Sequence, residues 1–339
     1  TGWIPRFVTI WNDSELVACC PLYLKSHSYG EYVFDWAWAQ AHEQHGLPYY
    51  PKGLVAVPFT PVPGARLLAV SPRARLALID ALEQLAQAWK LSSLYLLFAR
   101  DEDLDAASSR GWLTRETVQF HWTQGASDPR TGGRYRDFDH FLSELQQDKR
   151  KKIRQERRKV AQAGVRFRWT TGSGIQPQDW TFFWSCYERT YHEHGNPPYL
   201  TPGFFERVAR TLPDHWLMFV AEREGRPIAS SLVALDPIRQ IAYGRYWGAL
   251  ERVDCLHFEA CYYQPLQWCI DHGYRRFEGG AQGEHKMARA LLPVKARSSH
   301  WLSHPAFAHA IDRFLIRERQ GVDSYMDHLA QRDPRRKST

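Results

Sequence analysis

One order of short apolar strands occurs twice in the chain, and this repetition constrains the fold more than any other feature. Residues 6–24, "RFVTIWNDSELVACCPLYL", and residues 217–235, "LMFVAEREGRPIASSLVAL", each have an apolar run, a polar turn and a second apolar run. That pattern predicts a β-hairpin in each half. Each hairpin is followed by the pattern strand, helix, strand, short helix, strand. We therefore predict a duplicated α/β unit.

The predicted fold class is α/β (α+β), with two tandem units in which helices flank a mixed, mostly antiparallel sheet. Between the halves, "FDHFLSELQQDKRKKIRQERRKVAQAG" has a thin apolar stripe at helical spacing and predicts one long basic helix, a rod of about 36 Å. The domain ranges expected are 1-133 for the N-terminal unit, 134-164 for the connecting helix and 165-339 for the C-terminal unit with the main site. Because strand character begins by Arg6, we expect the natural start of the protein to precede Thr1.

Charge is concentrated in one segment. Residues 134–168 contain twelve Lys or Arg and five acidic residues. The surplus of seven positive charges in this segment equals the net charge of +7 for the whole chain. A local basic stripe favours a polyanionic partner such as RNA, a nucleotide or a phospholipid surface, and the alternative is a solvated helix face. No apolar stretch is long enough to span a bilayer. The residues predicted to bind nucleic acid are Lys149, Arg150, Lys152, Arg154 and Arg157.

The stretch "FEGGAQGEHKMAR", residues 277–289, is the main candidate for chemistry. Its glycine spacing matches neither the phosphate-binding loop nor the dinucleotide fingerprint, and its Glu and His residues match no metal-binding spacing. Glu284 or His285 can accept a proton from an amine, while Lys286 or Arg289 can stabilise phosphate or oxyanion charge. The alternative is a structural polar turn.

A second group of candidates lies in "YGRYWGALERVDCLHFEACYYQ", residues 243–264. Tyr243, Arg245 and Trp247 share one face of a predicted strand, and glycines on the other face leave room for something to lie against the backbone. Arg245 suits a phosphate or carboxylate, and the alternative is an aromatic core strand. His257 and Glu259 open the next predicted helix, and the alternative for Glu259 is that its carboxylate only stabilises the first turn.

The candidate site residues fall into two groups. No metal site is predicted. The residues predicted to be catalytic are Glu284, His285, Lys286 and Glu259. The residues predicted to contact substrate are Tyr199, Tyr243, Arg245, Trp247, His257, Glu278, Gly280, Gln282, Arg289 and His300.

Several long motifs, in order, resemble the FemAB-like N-acyltransferase family. They are "HFLSELQQDKRKKIRQERRKV", "PPYLTPGFF", "YGRYWGA", "LHFEACYYQ", "FEGGAQGEHKMAR" and "SSHW". The resemblance implies two tandem GNAT units. It also implies relatives that use aminoacyl-tRNA to extend peptidoglycan precursors, and Lys286 looks similar to a lysine of their C-terminal unit. The [QR]-x-x-G-x-[GA] loop typical of acetyl-CoA users is not found in either half.

The function expected is therefore transfer of an acyl or aminoacyl group to an amine, from aminoacyl-tRNA, with no tightly bound cofactor. The partners expected are tRNA and an amine-bearing acceptor, either a peptidoglycan precursor or a small peptide. A cytoplasmic location is expected, which also suits six cysteines without a C-x-x-C pair. One alternative is an N-acyltransferase that uses acyl-CoA. The other is a non-catalytic protein that binds RNA or phospholipid on a GNAT scaffold.

Overall fold

The computed structural model describes residues 2–127, 131–280 and 283–336, and the predicted substrate contact Gln282 lies outside them. The chain divides into two compact units. The first unit comprises Thr1–Val118 with Lys295–His328, and the second comprises Gln119–Val294 with Leu329–Thr339. No helix among the described residues has the length and apolar character needed to cross a membrane.

The first unit contains a sheet with helices packed against it. Its elements, in chain order, are β1 (Trp3–Asn12), β2 (Glu15–Lys25), α1 (Trp36–Gln44), β3 (Lys52–Val55), β4 (Leu68–Ala69), α2 (Pro72–Ala88), β5 (Ser93–Leu97), α3 (Asp101–Ser108), the start of β6 (Leu113–Thr123), most of β12 (Leu292–Leu302) and most of α10 (Pro305–Gln331).

The second unit also contains β-strands and helices. Its elements are the end of β6, α4 (Phe138–Ser143), α5 (Gln147–Gln162), β7 (Val165–Thr171), α6 (Pro177–Glu193), α7 (Pro202–Thr211), β8 (Trp216–Arg223), β9 (Arg226–Asp236), β10 (Ile241–Ala249), α8 (Leu256–Phe258), a π-helical turn (Glu259–Tyr263), α9 (Gln264–Asp271), β11 (Arg276–Glu278), a 3₁₀ segment (Glu284–Arg289) and the start of β12. Single 3₁₀ turns occur at Gly172–Gly174 and Pro213–His215.

The strands of the two units share one pairing pattern, which confirms the predicted fold class. In the first unit, β1–β2 and β2–β3 pair antiparallel, β3–β5 parallel and β5–β12 antiparallel. In the second unit, β8–β9 and β9–β10 pair antiparallel, β10–β11 parallel and β11–β6 antiparallel.

The last strand of the first repeat, β6, pairs with β11 of the second unit. The last strand of the second repeat, β12, pairs with β5 of the first unit. In β12, Ser298 is opposite Leu97 of β5, whereas in β6 His121 is opposite Glu278 of β11. This exchange of strands makes both units discontinuous in sequence, so they differ from the contiguous ranges expected from the sequence.

The prediction of one long basic helix is wrong, because the helix is interrupted between Ser143 at the end of α4 and Gln147 at the start of α5. Gln146 has an extended backbone, with ψ of 148°, at the point where a continuous helix would need a helical residue. Its backbone N–H donates to the Pro334 carbonyl at 2.8 Å, and its side-chain amide donates to the Asp333 carbonyl at 2.7 Å. These bonds replace the helical hydrogen bonds that one long rod would make.

The helix of the first repeat, α2, is amphipathic. In α2 the side chains of Leu78, Ile79 and Leu82 are buried in the core of the first unit. Ser71 caps this helix by accepting a hydrogen bond from the Ala74 backbone N–H at 3.2 Å. In the second unit α9 ends at Asp271, and Gly273 just beyond it has φ of +73°, as a left-handed terminal residue should.

Candidate active site

The polar turn after β11 is positioned by its glycines. A Cβ on Gly279 would lie 2.4 Å from Leu291 Cδ2 and 3.1 Å from the Phe120 carbonyl oxygen, so only glycine fits there without a shift. Gly280 has φ of +76° and open space where a Cβ would be. The space beside the Gly280 Cα is therefore open, which suits its predicted contact with substrate, although its carbonyl accepts a hydrogen bond from the Phe120 backbone N–H at 3.1 Å.

The 3₁₀ segment after this turn is tied to α5 by buried ionic contacts. Arg289 Nη2 donates to Glu156 Oε2 at 2.8 Å, and Arg289 Nη1 donates to the His285 carbonyl at 2.6 Å. Tyr263 also donates to Glu156 Oε2. The Arg289 guanidinium lies 3.7 Å from the centroid of the Phe258 ring. Arg289 is thus a fixed support of the turn, and its substrate contact stays a prediction.

His285 stands at the exposed side of the same turn. Its Nε2 lies 3.2 Å from the Tyr262 hydroxyl, and its ring lies 6.5 Å from that of His257. Partial burial, together with the positive charges of Arg289 and Lys286, lowers the pKa of His285. Burial lowers the pKa of His257 to about 4, and the nearby His285, Arg289 and Lys286 add to this effect. Both rings are therefore neutral near pH 7, as a general base must be before it accepts a proton.

Lys286 is buried, with 6% of its surface exposed, although a lysine is rarely buried without a partner. Its Nζ lies 3.5 Å from the Gly280 carbonyl oxygen and 5.9 Å from the Phe120 ring centroid. Burial lowers the pKa of its amine to about 8. This amine is close to the backbone of the glycine turn.

Glu278 ends β11 as a buried carboxylate, with 4% of its surface exposed. Arg276 Nη2 lies 2.8 Å from its Oε1, and His121 Nε2 lies 3.8 Å from its Oε2. Burial, only partly offset by Arg276, raises the pKa of Glu278 to about 7. Within the described residues neither carboxylate oxygen has a hydrogen-bond partner of good geometry, so the ion pair is poorly aligned despite its short distance.

Glu259 is held in an ionic network inside the second unit. Arg157 contacts its Oε1 at 3.1 Å, and the Gln264 amide donates to the same oxygen at 2.7 Å. Glu259 begins the π-helical turn, and such turns are frequent at functional sites. Its contacts explain its burial by themselves, so its catalytic role stays a prediction.

Glu284 and His285 open onto a cavity of about 400 Å³. Glu284 Oε2 accepts from Arg332 Nη1 at 2.7 Å, and both side chains are about half exposed. The basic helix contributes Lys149 and Lys152 to the lining, so the cavity has cations on two sides. Its lining residues are Gln146, Lys149, Lys152, Glu284, His285, Met287, Ala288, Gln331 and Arg332.

Other predicted contacts lie apart from this cavity lining. Tyr199 packs against Tyr191, and the Arg245 guanidinium lies over the Tyr246 ring and donates to its hydroxyl. Trp247 packs edge-on against His257. Burial raises the pKa of Tyr243 to about 12.

The room expected beside the glycines of β10 is filled by the chain itself. A Cβ on Gly248 would lie 1.9 Å from the Cys186 carbonyl oxygen of α6, and one on Gly244 would lie 3.0 Å from the Phe277 ring. These glycines therefore allow the chain to pack against itself rather than a ligand to approach.

His300 belongs to the first unit, where it is fully buried and contacts Ser298 Oγ at 2.8 Å through Nε2. Nearby in that unit Lys52 is enclosed with Glu31 and Asp35, and its Nζ lies 2.8 Å from Glu31 Oε2. Burial raises the pKa of Glu31 to about 7. This unit therefore has its own buried polar network.

Sequence reasoning missed several residues of the second unit, among them Tyr262 beside His285, Arg332 in the cavity lining, Glu156 and His121. Glu156 had a signal, because it continues the inward-facing spacing of Ile153 and Val160 within an otherwise basic helix. His121 had none, because its position beside Glu278 depends on the pairing of β6 with β11. Among the described residues no group of three or more His, Cys, Asp or Glu side chains is arranged to hold a metal ion.

Two α/β units that share one strand order define a tandem GNAT-like fold. The chain belongs to the FemAB-like family, because the model of that family matches residues 1–337. The family is described as one of peptidoglycan biosynthesis and recognition. Family membership supports acyl or aminoacyl transfer. Among curated proteins, none matches the sequence significantly.

Solved structures share the fold at low identity. FemX is 11% identical with a TM-score of 0.53, over 92% of this chain and 91% of FemX. L-PGS from Bacillus licheniformis is 10% identical with a TM-score of 0.56, over 92% and 89%. The C-terminal domain of a putative lysylphosphatidylglycerol synthetase from Agrobacterium fabrum is 9% identical with a TM-score of 0.53, over 91% and 87%. At such identities the likeness shows the fold alone.

Proposed function

We propose that the second unit transfers an aminoacyl group from aminoacyl-tRNA to an amine of a peptidoglycan precursor or similar peptide. The observation that carries the proposal is the cavity in which His285 stands beside Lys149, Lys152 and Arg332. One surface thereby combines a neutral base with cations suited to a polyanionic donor. Such a donor would place the reaction in the cytoplasm.

His285 is proposed to act as the general base. The attacking amine forms a C–N bond to the acyl carbon and passes its proton to the imidazole, and the ester C–O bond breaks. The imidazolium then returns the proton to the departing ribose oxygen, so charge and protons balance. Tyr262, 3.2 Å from Nε2, would hold the ring in position.

Lys286 is proposed to stabilise the oxyanion that forms on the acyl carbonyl. Its amine lies 3.5 Å from the Gly280 carbonyl oxygen, beside the open space at the Gly280 Cα, and its burial strengthens attraction for a developing negative charge. A charge that is already buried needs little reorganisation during the reaction.

The donor is proposed to contact the exposed basic face of α5. This helix has eight Lys or Arg and two acidic residues, and one of the acidic residues, Glu156, is buried with Arg289. The outer face is therefore almost wholly cationic, and its affinity for RNA should fall steeply with salt. Lys149, Arg150, Lys152 and Arg154 remain the residues proposed for this contact, whereas the Arg157 guanidinium is engaged with Glu259 and Gln267.

A direct test compares charged tRNA, uncharged tRNA and several acyl-CoAs as ligands at low and moderate salt. The proposal expects saturable tRNA binding that weakens with salt. It also expects transfer that His285→Ala slows at least about tenfold, with His192→Ala on α6 as the matched exposed control. Saturable acyl-CoA binding without tRNA binding would establish the acyl-CoA alternative instead. RNA binding with no transfer to any amine would favour the non-catalytic one.

A further inference from the structure

The first unit contains an apolar cavity of about 550 Å³ between α1 and α10, separate from any residue assigned a role above. Its volume is within the range usual for small-molecule sites, about 300–1,000 Å³. The described lining residues carry no carboxylate, ammonium or guanidinium group. They are Ala37, Trp38, Ala41, His45, Leu47, His304, Ala306, Phe307, Ala310, Ile311 and Phe314.

The walls of the cavity are held in place by a buried guanidinium. Arg115 forms two bonds to Glu318 of α10, at 2.8 and 2.7 Å, and donates to the Phe34 carbonyl just before α1 at 2.7 Å. The same guanidinium lies 5.1 Å from the Trp38 ring, which forms part of the lining. These contacts fix α1 and α10 relative to each other, and the cavity between them is open to solvent, since His45, Leu47 and Ala310 are exposed.

Polar groups are gathered at one end. The Phe307 ring is surrounded by three imidazoles, with centroid distances of 3.9 Å to His42 and 5.5 Å to both His45 and His304. Phe314 lies seven residues further along α10, about 10 Å away at the rise of a helix. The cavity therefore has imidazole groups at the Phe307 end and only apolar side chains at the Phe314 end. This distribution matches a ligand with a polar head and an apolar chain.

The imidazoles also indicate the head group. His45 Nδ1 is 2.8 Å from the Ala41 carbonyl and His42 Nδ1 is 3.0 Å from the Trp38 carbonyl, so each Nδ1 donates its proton there. In a neutral ring this leaves Nε2 as an acceptor. The matching head group is a hydrogen-bond donor.

We propose that this cavity binds the alkyl chain of a single-chain amphiphile whose hydroxyl or amide head donates a hydrogen bond to His45 Nε2. The chain contacts the alanines and aromatic rings, where its transfer from water is favourable at about 25 cal/mol per Å² of apolar surface. The site is independent of the transfer reaction proposed for the second unit.

Equilibrium dialysis with 1-dodecanol tests the proposal on the full chain. We expect saturable binding of one molecule per chain. Ala41→Phe and Ala310→Phe, which each fill the cavity from a different helix, should weaken it at least about tenfold. Ala308→Phe is the matched control, because Ala308 is on α10 but does not line the cavity, and it should bind normally. Circular dichroism confirms that each variant is folded.

The head group is tested with His45→Leu, which should weaken dodecanol binding about threefold or more and leave binding of 1-methoxydodecane, which has no donor, unchanged. The proposal is overturned if the native chain does not bind dodecanol saturably, or if both filled variants bind it as Ala308→Phe does. It is equally overturned if sedimentation shows a dimer that Ala310→Phe abolishes and dodecanol does not disperse. It is also overturned if only phosphatidylglycerol vesicles bind.

Discussion

Arg289 and Glu156 form a buried ion pair at 2.8 Å between the 3₁₀ segment that carries His285 and the basic helix α5. Removing one member would leave a buried charge without its partner. We expect Glu156→Leu to lower the free energy of unfolding by about 3 kcal/mol, and Glu156→Leu/Arg289→Met to recover part of that loss. Urea denaturation measures both.

The matched control is the exposed pair Arg154–Asp139, at 3.1 Å on the outer face. Asp139→Asn should cost several-fold less, because water screens exposed pairs. Equal losses for the two pairs would show that the Arg289 pair does not support the turn.

Glu278 should make stability depend on pH. Its pKa is raised by burial from 4.5 to about 7, so between these values the folded chain keeps a proton that the unfolded chain has lost. Stability should therefore fall as pH rises from 4.5 to 7. Glu278→Gln should flatten this slope in urea denaturation series. Exposed Glu224→Gln is the control, and Glu31 contributes a remaining slope of the same sign. An unchanged slope in Glu278→Gln would contradict the assignment.

Lys149 and Lys152 should account for part of the salt dependence of tRNA binding. Replacing both by Gln should reduce the slope of log affinity against log salt by about two and weaken binding at low salt. Arg226→Gln, which removes an exposed cation at the start of β9, is the control and should change neither quantity. Filter binding at several salt concentrations measures the slope, and an identical slope in the double variant would place the RNA contact elsewhere.

Three glycines should respond differently to alanine. Gly248→Ala should be the most damaging, at roughly 3 kcal/mol or more, because the new Cβ would meet backbone atoms of Cys186 at 1.9 Å. Gly279→Ala should cost less, since the flexible Leu291 side chain can move. Gly280→Ala has free space and should cost only about 1 kcal/mol for its left-handed backbone. Thermal and urea unfolding give the order, and a reversed order would contradict the packing.

The candidate site was predictable where chemistry is local. The residue types and spacing within 277–289 indicated a candidate site, and the structure places Glu284 and His285 in the lining of one cavity. Glu278 and His121, in contrast, are adjacent only because β11 pairs with β6. No periodicity in either strand encodes that pairing.

The sequence by itself determined the repeated hairpins, the amphipathic α2, the glycine turn and the cationic face of α5, because each depends on neighbours within a few residues. Only the tertiary structure decided that β6 and β12 exchange places, that Gln146 bonds to the C-terminal segment, and that Glu156 meets Arg289. These contacts join residues more than a hundred positions apart. They form because a buried polar backbone group or charge without a partner costs free energy, and the partner that lowers this cost can lie anywhere in the chain.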